Sequence, residues 1–225
     1  MGDGLRGYLS HLGRKARYGG LPRLMVDGLA LLGLTLRPFY LHREGLSLAG
    51  PRTFGDHLEG LEVGFLGGGD MPALAALPGR SLPEPALASR LVRGQRCLGA
   101  RSQGQVVAFT WCDLERCHFE GFSFALRNNQ AYLFDTYCAV EWRGRGLAPF
   151  LRYRAYEVLA GLGRTDIYSI TDAFNVSALH FKAKLRARPV LLGLQVKLWG
   201  RVCRTRVLRR YSGYIPFDPG QAPAP

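Results

Sequence analysis

Arg143-Gly144-Arg145-Gly146-Leu147-Ala148 is the stretch on which the reading of this chain turns. A strand-like run, residues 131–139, leads into it, and a helix-like run, residues 150–160, leaves it. A glycine-bearing turn between a strand and a helix is a place to bind phosphate. The first N–H groups of a helix have no internal partner, and the helix dipole favours an anion there. Glycines let the backbone approach a ligand closely, and Arg143 and Arg145 add positive charge. The combination points to a pyrophosphate site.

Working outward, the helix after the turn carries Leu151, Ala155, Val158, Leu159 and Leu162 at helical spacing, with Gly163 as its stop. Residues 166–171 read as the next strand and residues 175–185 as the next helix. Residues 190–199 and 202–208 are strands that would close the sheet. Upstream, residues 61–66 alternate like a strand, and Asp70 with Pro72 marks a helix start. Residues 83–92 predict another helix. Residues 96–100, 105–112 and 122–126 predict strands, and Asn128-Asn129 signals a hairpin between the last of these and the 131–139 run. Strands alternating with helices make an α/β chain.

The 225 residues suffice for one α/β domain with extensions, and 47% hydrophobic content supplies a core. Residues 1–45 are expected to be a basic, partly apolar extension, 46–215 the main domain, and 216–225 a disordered tail. The most apolar run, residues 24–36, contains Asp27 and is broken by Gly28 and Gly33, short of a membrane span. With no signal-peptide or myristoylation pattern at the start, a cytoplasmic protein is expected. The five cysteines are odd in number and irregular. Cys112, Cys117 and His118 lack a second ligand pair, so no metal is expected and the thiols should be reduced.

The net charge of +13 sits at the flanks: residues 1–45 carry +4, residues 46–181 are neutral, and residues 182–210 hold ten Lys or Arg and no acid. Basic flanks suit an anionic cofactor or an anionic surface. Nucleic-acid binding is not expected. Peripheral membrane contact through residues 1–45 stays open, and the oligomeric state is not legible.

The run from Arg143 to Ala148 resembles the acetyl-CoA signature of the Gcn5-related N-acetyltransferases (GNAT), R/Q-x-x-G-x-G/A, with Ala148 as the allowed final variant. Residues 135–143 look like the family's fourth strand running into that motif. Asn175, Ala178 and Phe181 match its N-x-x-A-x-x-F/L helix start, one helix and one strand later. The resemblance covers residues 60–200.

What the resemblance implies is a mixed, mostly antiparallel central sheet, splayed between its fourth and fifth strands and flanked by helices, with acetyl-CoA as co-substrate in the gap. The pyrophosphate would lie on the amides of Gly144, Arg145, Gly146, Leu147 and Ala148, beside Arg143. Pantetheine would pair with the backbone of Tyr137, Cys138 and Ala139, and Asn175 would bond near the reactive end. The reaction would be direct attack of a small-molecule amine on the thioester in a ternary complex, with the N–H of Cys138 or its neighbour polarising the carbonyl. Asp135 is the candidate base. The family's acid is a Tyr seven residues after the helix-start Asn; here that position is Lys182, with Tyr168 and His180 as substitutes. Leu185-Arg186-Ala187 stands where the family shows Leu-Gly-Phe. These two departures leave open an alternative, a catalytically degenerate fold that binds CoA or a partner.

Overall fold

In a computed structural model of the chain, which describes residues 28–29, 33–80, 82–200 and 202–211, a strand over Leu34–Glu44 (β1) lies inside the sheet. It is followed by short helices Leu46–Ala49 (α1) and Asp56–Glu59 (α2), strand Glu62–Leu66 (β2), and helices Met71–Ala75 (α3) and Glu84–Val92 (α4). Strands Arg96–Ser102 (β3) and Gln105–Asp113 (β4) come next, then the hairpin Arg116–Phe119 (β5) and Phe122–Ala125 (β6). Gln130–Cys138 (β7), helix Leu147–Gly161 (α5), strand Asp166–Asp172 (β8) and helix Val176–Lys184 (α6) follow in turn. Arg188–Leu198 (β9) and Val202–Arg210 (β10) complete the order.

The eight-stranded sheet runs β10-β9-β1-β8-β7-β4-β3-β2. All of its pairings are antiparallel except β7 with β8. That parallel pair is joined at only three positions, Gln130↔Asp166, Ala131↔Ile167 and Tyr132↔Tyr168. Beyond them β7 and β8, the fourth and fifth strands of the run that starts at β2, diverge and leave a wedge. On the β4 side, Phe109 faces Tyr137 but Trp111 faces Phe134, so Asp135 and Thr136 bulge against Thr110. Asp135 takes a left-handed φ of 45° at this bulge.

Three cores hold the layers. α1, α5 and the inner ends of α2 and α6 cover one face, through Leu58, Leu98, Ala108, Leu133, Leu151, Ala155, Leu159 and Leu185. On the other face α3 and α4 pack Met71, Leu74 and Leu87 against Phe109, Trp111 and Tyr137. The β5–β6 hairpin lays Phe122 and Phe124 on Phe39, Leu41 and Tyr168.

Two sequence expectations change. The boundary at residue 45 falls at the end of an interior strand, because Leu34–Glu44 pairs with β8 on one side and β9 on the other. Pro38 together with Arg37, His42, Arg43 and Glu44 hides that strand, since such residues are rare in a central one. Residues 1–27 and 212–225, with the basic extension and the tail, lie outside the described residues. The Asn128-Asn129 turn is also no hairpin: β6 pairs with β5, and the turn joins two sheets. Its carbonyls are taken instead by Arg164, which donates to Arg127 and Gln130 at 2.9 and 3.0 Å, and by the start of β8, where Asp166 N–H reaches Asn129 at 3.0 Å.

Candidate active site

The turn after β7 is shaped by two glycines. Gly144 and Gly146 have φ of 78° and 85°, the left-handed region where a side chain is strained. Gly146 is the N-cap of α5 and supplies no side chain, and the N–H groups of residues 144–148 have no hydrogen-bond partner among the described residues. Pro149 has no N–H to satisfy. Arg143 Nε donates to the Cys138 carbonyl at 3.1 Å and His57 Nε2 to the Arg145 carbonyl at 3.2 Å, fixing the turn at both ends. The loop thus presents five free donors at the positive end of a 15-residue helix.

Beside it lies a cleft of about 810 Å³, lined by Tyr137, Cys138, Arg143, Gly144, Gly146, Ala148, Asn175 and His180 among others. A second chamber of about 350 Å³ shares Tyr137, Cys138, Ala148 and Asn175 and continues between β7 and β8 to Arg152, Ile170 and Lys182. All of the cofactor residues expected from sequence therefore gather at one wedge, except that Arg145 and Ala139 flank it without lining it. Tyr137 stacks its ring on Phe109, 5.5 Å between centroids, and donates its hydroxyl to Pro78, so it offers the gap its backbone. Asn175 caps α6 by accepting from Ala178 N–H at 3.0 Å, leaving its amide NH2 as a donor.

At the inner end of the smaller chamber sits a buried ionic cluster. Glu44, 1% exposed, accepts from Lys182 Nζ at 3.0 and 3.1 Å, from Arg152 at 3.0 Å and from the Tyr156 hydroxyl at 2.7 Å. Lys182 also donates to Ser169 Oγ at 2.6 Å, and Arg152 to Thr110 Oγ1 at 3.0 Å. Burial pushes the Glu44 carboxyl up, but Arg152, Lys182 and the Tyr156 and Ser169 hydroxyls outweigh it and bring its pKa down to about 2. Burial, then the charge of Arg152, pulls Lys182 down to about 7 against the opposing pull of Glu44. His42, on the same strand as Glu44, is lowered to about 4 by burial and by Lys182, and its Nδ1 has no partner among the described residues.

Asp135 is placed differently from its expected role as base. Arg80 grips it bidentately at 2.7 and 2.8 Å, and Arg90 adds a third bond at 2.5 Å. Burial would raise its pKa, yet the hydrogen bonds and charges of the two arginines lower it overall. Arg80 in turn lies over Phe109, and Arg90 over Trp111 and Phe134. A carboxylate held ionised by two permanent cations has too little proton affinity to deprotonate an ammonium. It ties the bulge of β7 to Arg80 and Arg90.

Of the substitutes for the acid, Tyr168 is buried under the β5–β6 hairpin against Phe124, and His180 is exposed at the outer cleft. Arg186 ends α6 with φ of 55°, taking the left-handed conformation a glycine would hold without strain. Glu44, Arg152, Arg80 and Arg90 were not anticipated. Arg152 was discoverable: it sits one residue past Leu151 and four before Tyr156, on the buried stripe of α5. Glu44 carried no local signal, since its partners are 108 and 138 residues away.

Among the described residues no group of three or more His, Cys, Asp and Glu side chains converges as a metal site, and no helix is long and apolar enough to cross a membrane. Burial raises the Cys112 thiol to about 11 and Cys117 well above its ordinary value, so both stay protonated near neutral pH.

No family model and no curated protein sequence matches the chain. Solved structures do. An acetyltransferase of the GNAT family from Colwellia psychrerythraea superposes with a TM-score of 0.53 at 19% identity, over 76% of this chain and 60% of that one. A protein from Novosphingobium aromaticivorans assigned to the same acetyltransferase family gives 0.50 at 22% identity, over 74% and 66%. The chain thus spans roughly 60–66% of the length of these relatives, and the likeness is one of fold. The splayed β7–β8 pair, the glycine turn into α5 and the Asn-capped α6 are laid out on a mostly antiparallel sheet. This chain has the fold of the GNAT-family acetyltransferases.

Proposed function

We propose that the chain belongs to the GNAT superfamily and is an acyl-CoA-dependent N-acetyltransferase. The observation that carries this reading is the row of five free N–H groups at residues 144–148, opening onto the gap where β7 and β8 part. The residues present fit acetyl-CoA. The amides of Gly144 to Ala148, with Arg143 and Arg145, hold the pyrophosphate. The backbone of Tyr137 to Ala139 runs along the pantetheine arm, and the Asn175 amide bonds near the thioester. When bound, the co-substrate supplies an activated acyl carbon and a thiolate leaving group.

Lys182 is the proton carrier in this proposal. With a pKa of about 7 it is part neutral near physiological pH, so its amine takes a proton from the acceptor ammonium and returns one toward the leaving sulfur. Glu44 and Ser169 hold it at the inner end of the chamber. Asp135 has a positioning role, keeping the bulge of β7 open through Arg80 and Arg90. The acceptor is a small amine, neutral or acidic, because the Asp135 side of the wedge carries two guanidiniums to one carboxylate.

Saturating acetyl-CoA, at about 100 times its Kd, should stabilise the protein by about 2.7 kcal/mol, a rise in Tm of about 5–10 °C. Gly146→Glu, which adds both a strained side chain and a negative charge, should remove the rise. No shift in the parent protein at saturation sinks the proposal. Stabilisation by acetyl-CoA without thiol release across a panel of amines favours instead a CoA-binding module without turnover.

A further inference from the structure

We infer that Lys182 is a self-acetylation site, its amine taking the acetyl group from acetyl-CoA bound in the β7–β8 gap when no acceptor amine is present. This rests on the reading of the gap as an acetyl-CoA site. The chain has only four lysines, Lys15, Lys182, Lys184 and Lys197, against 26 arginines. An arginine cannot lose its proton and act as a nucleophile; a lysine can. A chain that otherwise relies on arginine places a lysine at the closed end of the chamber, lining it together with Tyr137, Cys138 and Asn175. Of the other lysines, Lys184 is exposed and Lys197 pairs with Glu120 at 2.5 Å; neither lines this chamber.

The charge balance around Lys182 favours an acylated product. It is faced by Glu44 and His42 from β1, Arg152 and Tyr156 from α5, and Ser169 from β8. Burial and Glu44 hold the Tyr156 hydroxyl protonated, and His42 is neutral above about 4. While Lys182 is protonated the cluster therefore sets two cations, Arg152 and Lys182, against the single carboxylate of Glu44, with all three side chains 5% exposed or less. Only Lys182 can relieve that excess, and burial already draws its pKa to about 7.

In the step itself the lone pair of the neutral amine forms an N–C bond to the acyl carbon, and the C–S bond breaks with its electron pair going to sulfur. The proton released from nitrogen ends on that sulfur. The products are Nε-acetyl-lysine and the free thiol of CoA, with no oxidant, reductant or further reactant. Acetylation leaves Glu44 and Arg152 paired one to one. It also removes the proton carrier of the proposed transfer, so acetyl-CoA in the absence of acceptor switches the enzyme off.

The test is to incubate the full chain with acetyl-CoA and no amine, then combine intact mass with peptide mapping. The expected result is a plateau at one acetyl group per chain, on Lys182, reached faster at pH 8.5 than at pH 6 as the amine loses its proton. Mapping on the parent protein locates the site without relying on a variant. Lys182→Arg should take no acetyl group while its melting temperature still rises with CoA. The inference is overturned if acetyl-CoA stabilises the protein yet Lys182 stays unmodified. Modification spread evenly over Lys184 and Lys197, or equally fast at Lys182 in urea-unfolded chain, overturns it too. If acetyl-CoA produces no thermal shift at all, the acetyl-CoA reading fails first and this inference falls with it.

Discussion

Two three-residue ionic knots flank the β7–β8 wedge from opposite faces of the sheet, and they differ in burial and in the cations they hold. Asp135 is held by Arg80 and Arg90, and Glu44 by Arg152 and Lys182. The Asp135 knot leans on Phe109, Trp111 and Phe134, with its side chains 13–17% exposed. The Glu44 knot lies under α5 and α6, with side chains 0–5% exposed. In the first, both cations are guanidiniums, so the charge is fixed at any accessible pH. In the second, one cation is an amine whose proton can leave. In the proposed reading one knot shapes the gap and the other moves a proton into it.

Breaking the deeper knot should cost most. Glu44→Gln leaves Arg152 and Lys182 buried without a counter-charge, a loss of about 3–5 kcal/mol in chemical denaturation. Its pH dependence is diagnostic. Glu44 falls from an ordinary 4.5 to about 2 in the fold, so the stability it gives is present above 4.5 and is lost as pH falls toward 2. The parent should weaken across that window more steeply than Glu44→Gln. Equal slopes would mean the carboxylate is not held as the structure has it.

The shallower knot should cost less. Asp135→Asn keeps the shape but removes the anion under two guanidiniums that still reach some solvent, a loss of about 1–3 kcal/mol. Because the bulge positions the Tyr137–Ala139 backbone, acetyl-CoA affinity should fall with it while the pH profile of turnover keeps its form. A profile that lost its low-pH limb in Asp135→Asn would restore Asp135 as the base and reverse the comparison.

How far the two knots could be read from sequence follows from distance along the chain. The strand, glycine turn and helix over residues 130–161 are contiguous, and their signals of turn chemistry, helical spacing and cap are local. So are β8, the Asn175 cap and α6. Strand β1 was not legible, because Pro38 and the charged residues of 34–44 describe a surface segment, and only pairing with β8 and β9 makes it interior. Glu44 came into view with it. Asp135 and Lys182 were both identified as site residues, but the pattern could not weigh them. Their proton affinities are set by Arg80, Arg90, Glu44 and Arg152, which are 30 to 138 residues distant in sequence and meet only in the fold.

The smallest effect on stability is also the sharpest probe of the difference between the knots. Lys182→Met keeps much of the side-chain volume and leaves Glu44 with Arg152, Tyr156 and the Ser169 hydroxyl, so stability near neutral pH should change by only about 1 kcal/mol. In the parent, Lys182 binds its proton more weakly folded than unfolded, about 7 against 10.5. Its burial penalty is therefore full below pH 7 and is relieved as pH rises toward 10.5, which makes the parent gain stability over that range. Lys182→Met should lack that gain, keep the thermal shift with acetyl-CoA, and lose turnover. A variant that kept turnover with an unchanged pH profile would return Lys182 to the standing of Arg80 and Arg90, a fixed charge that only holds the wedge in shape.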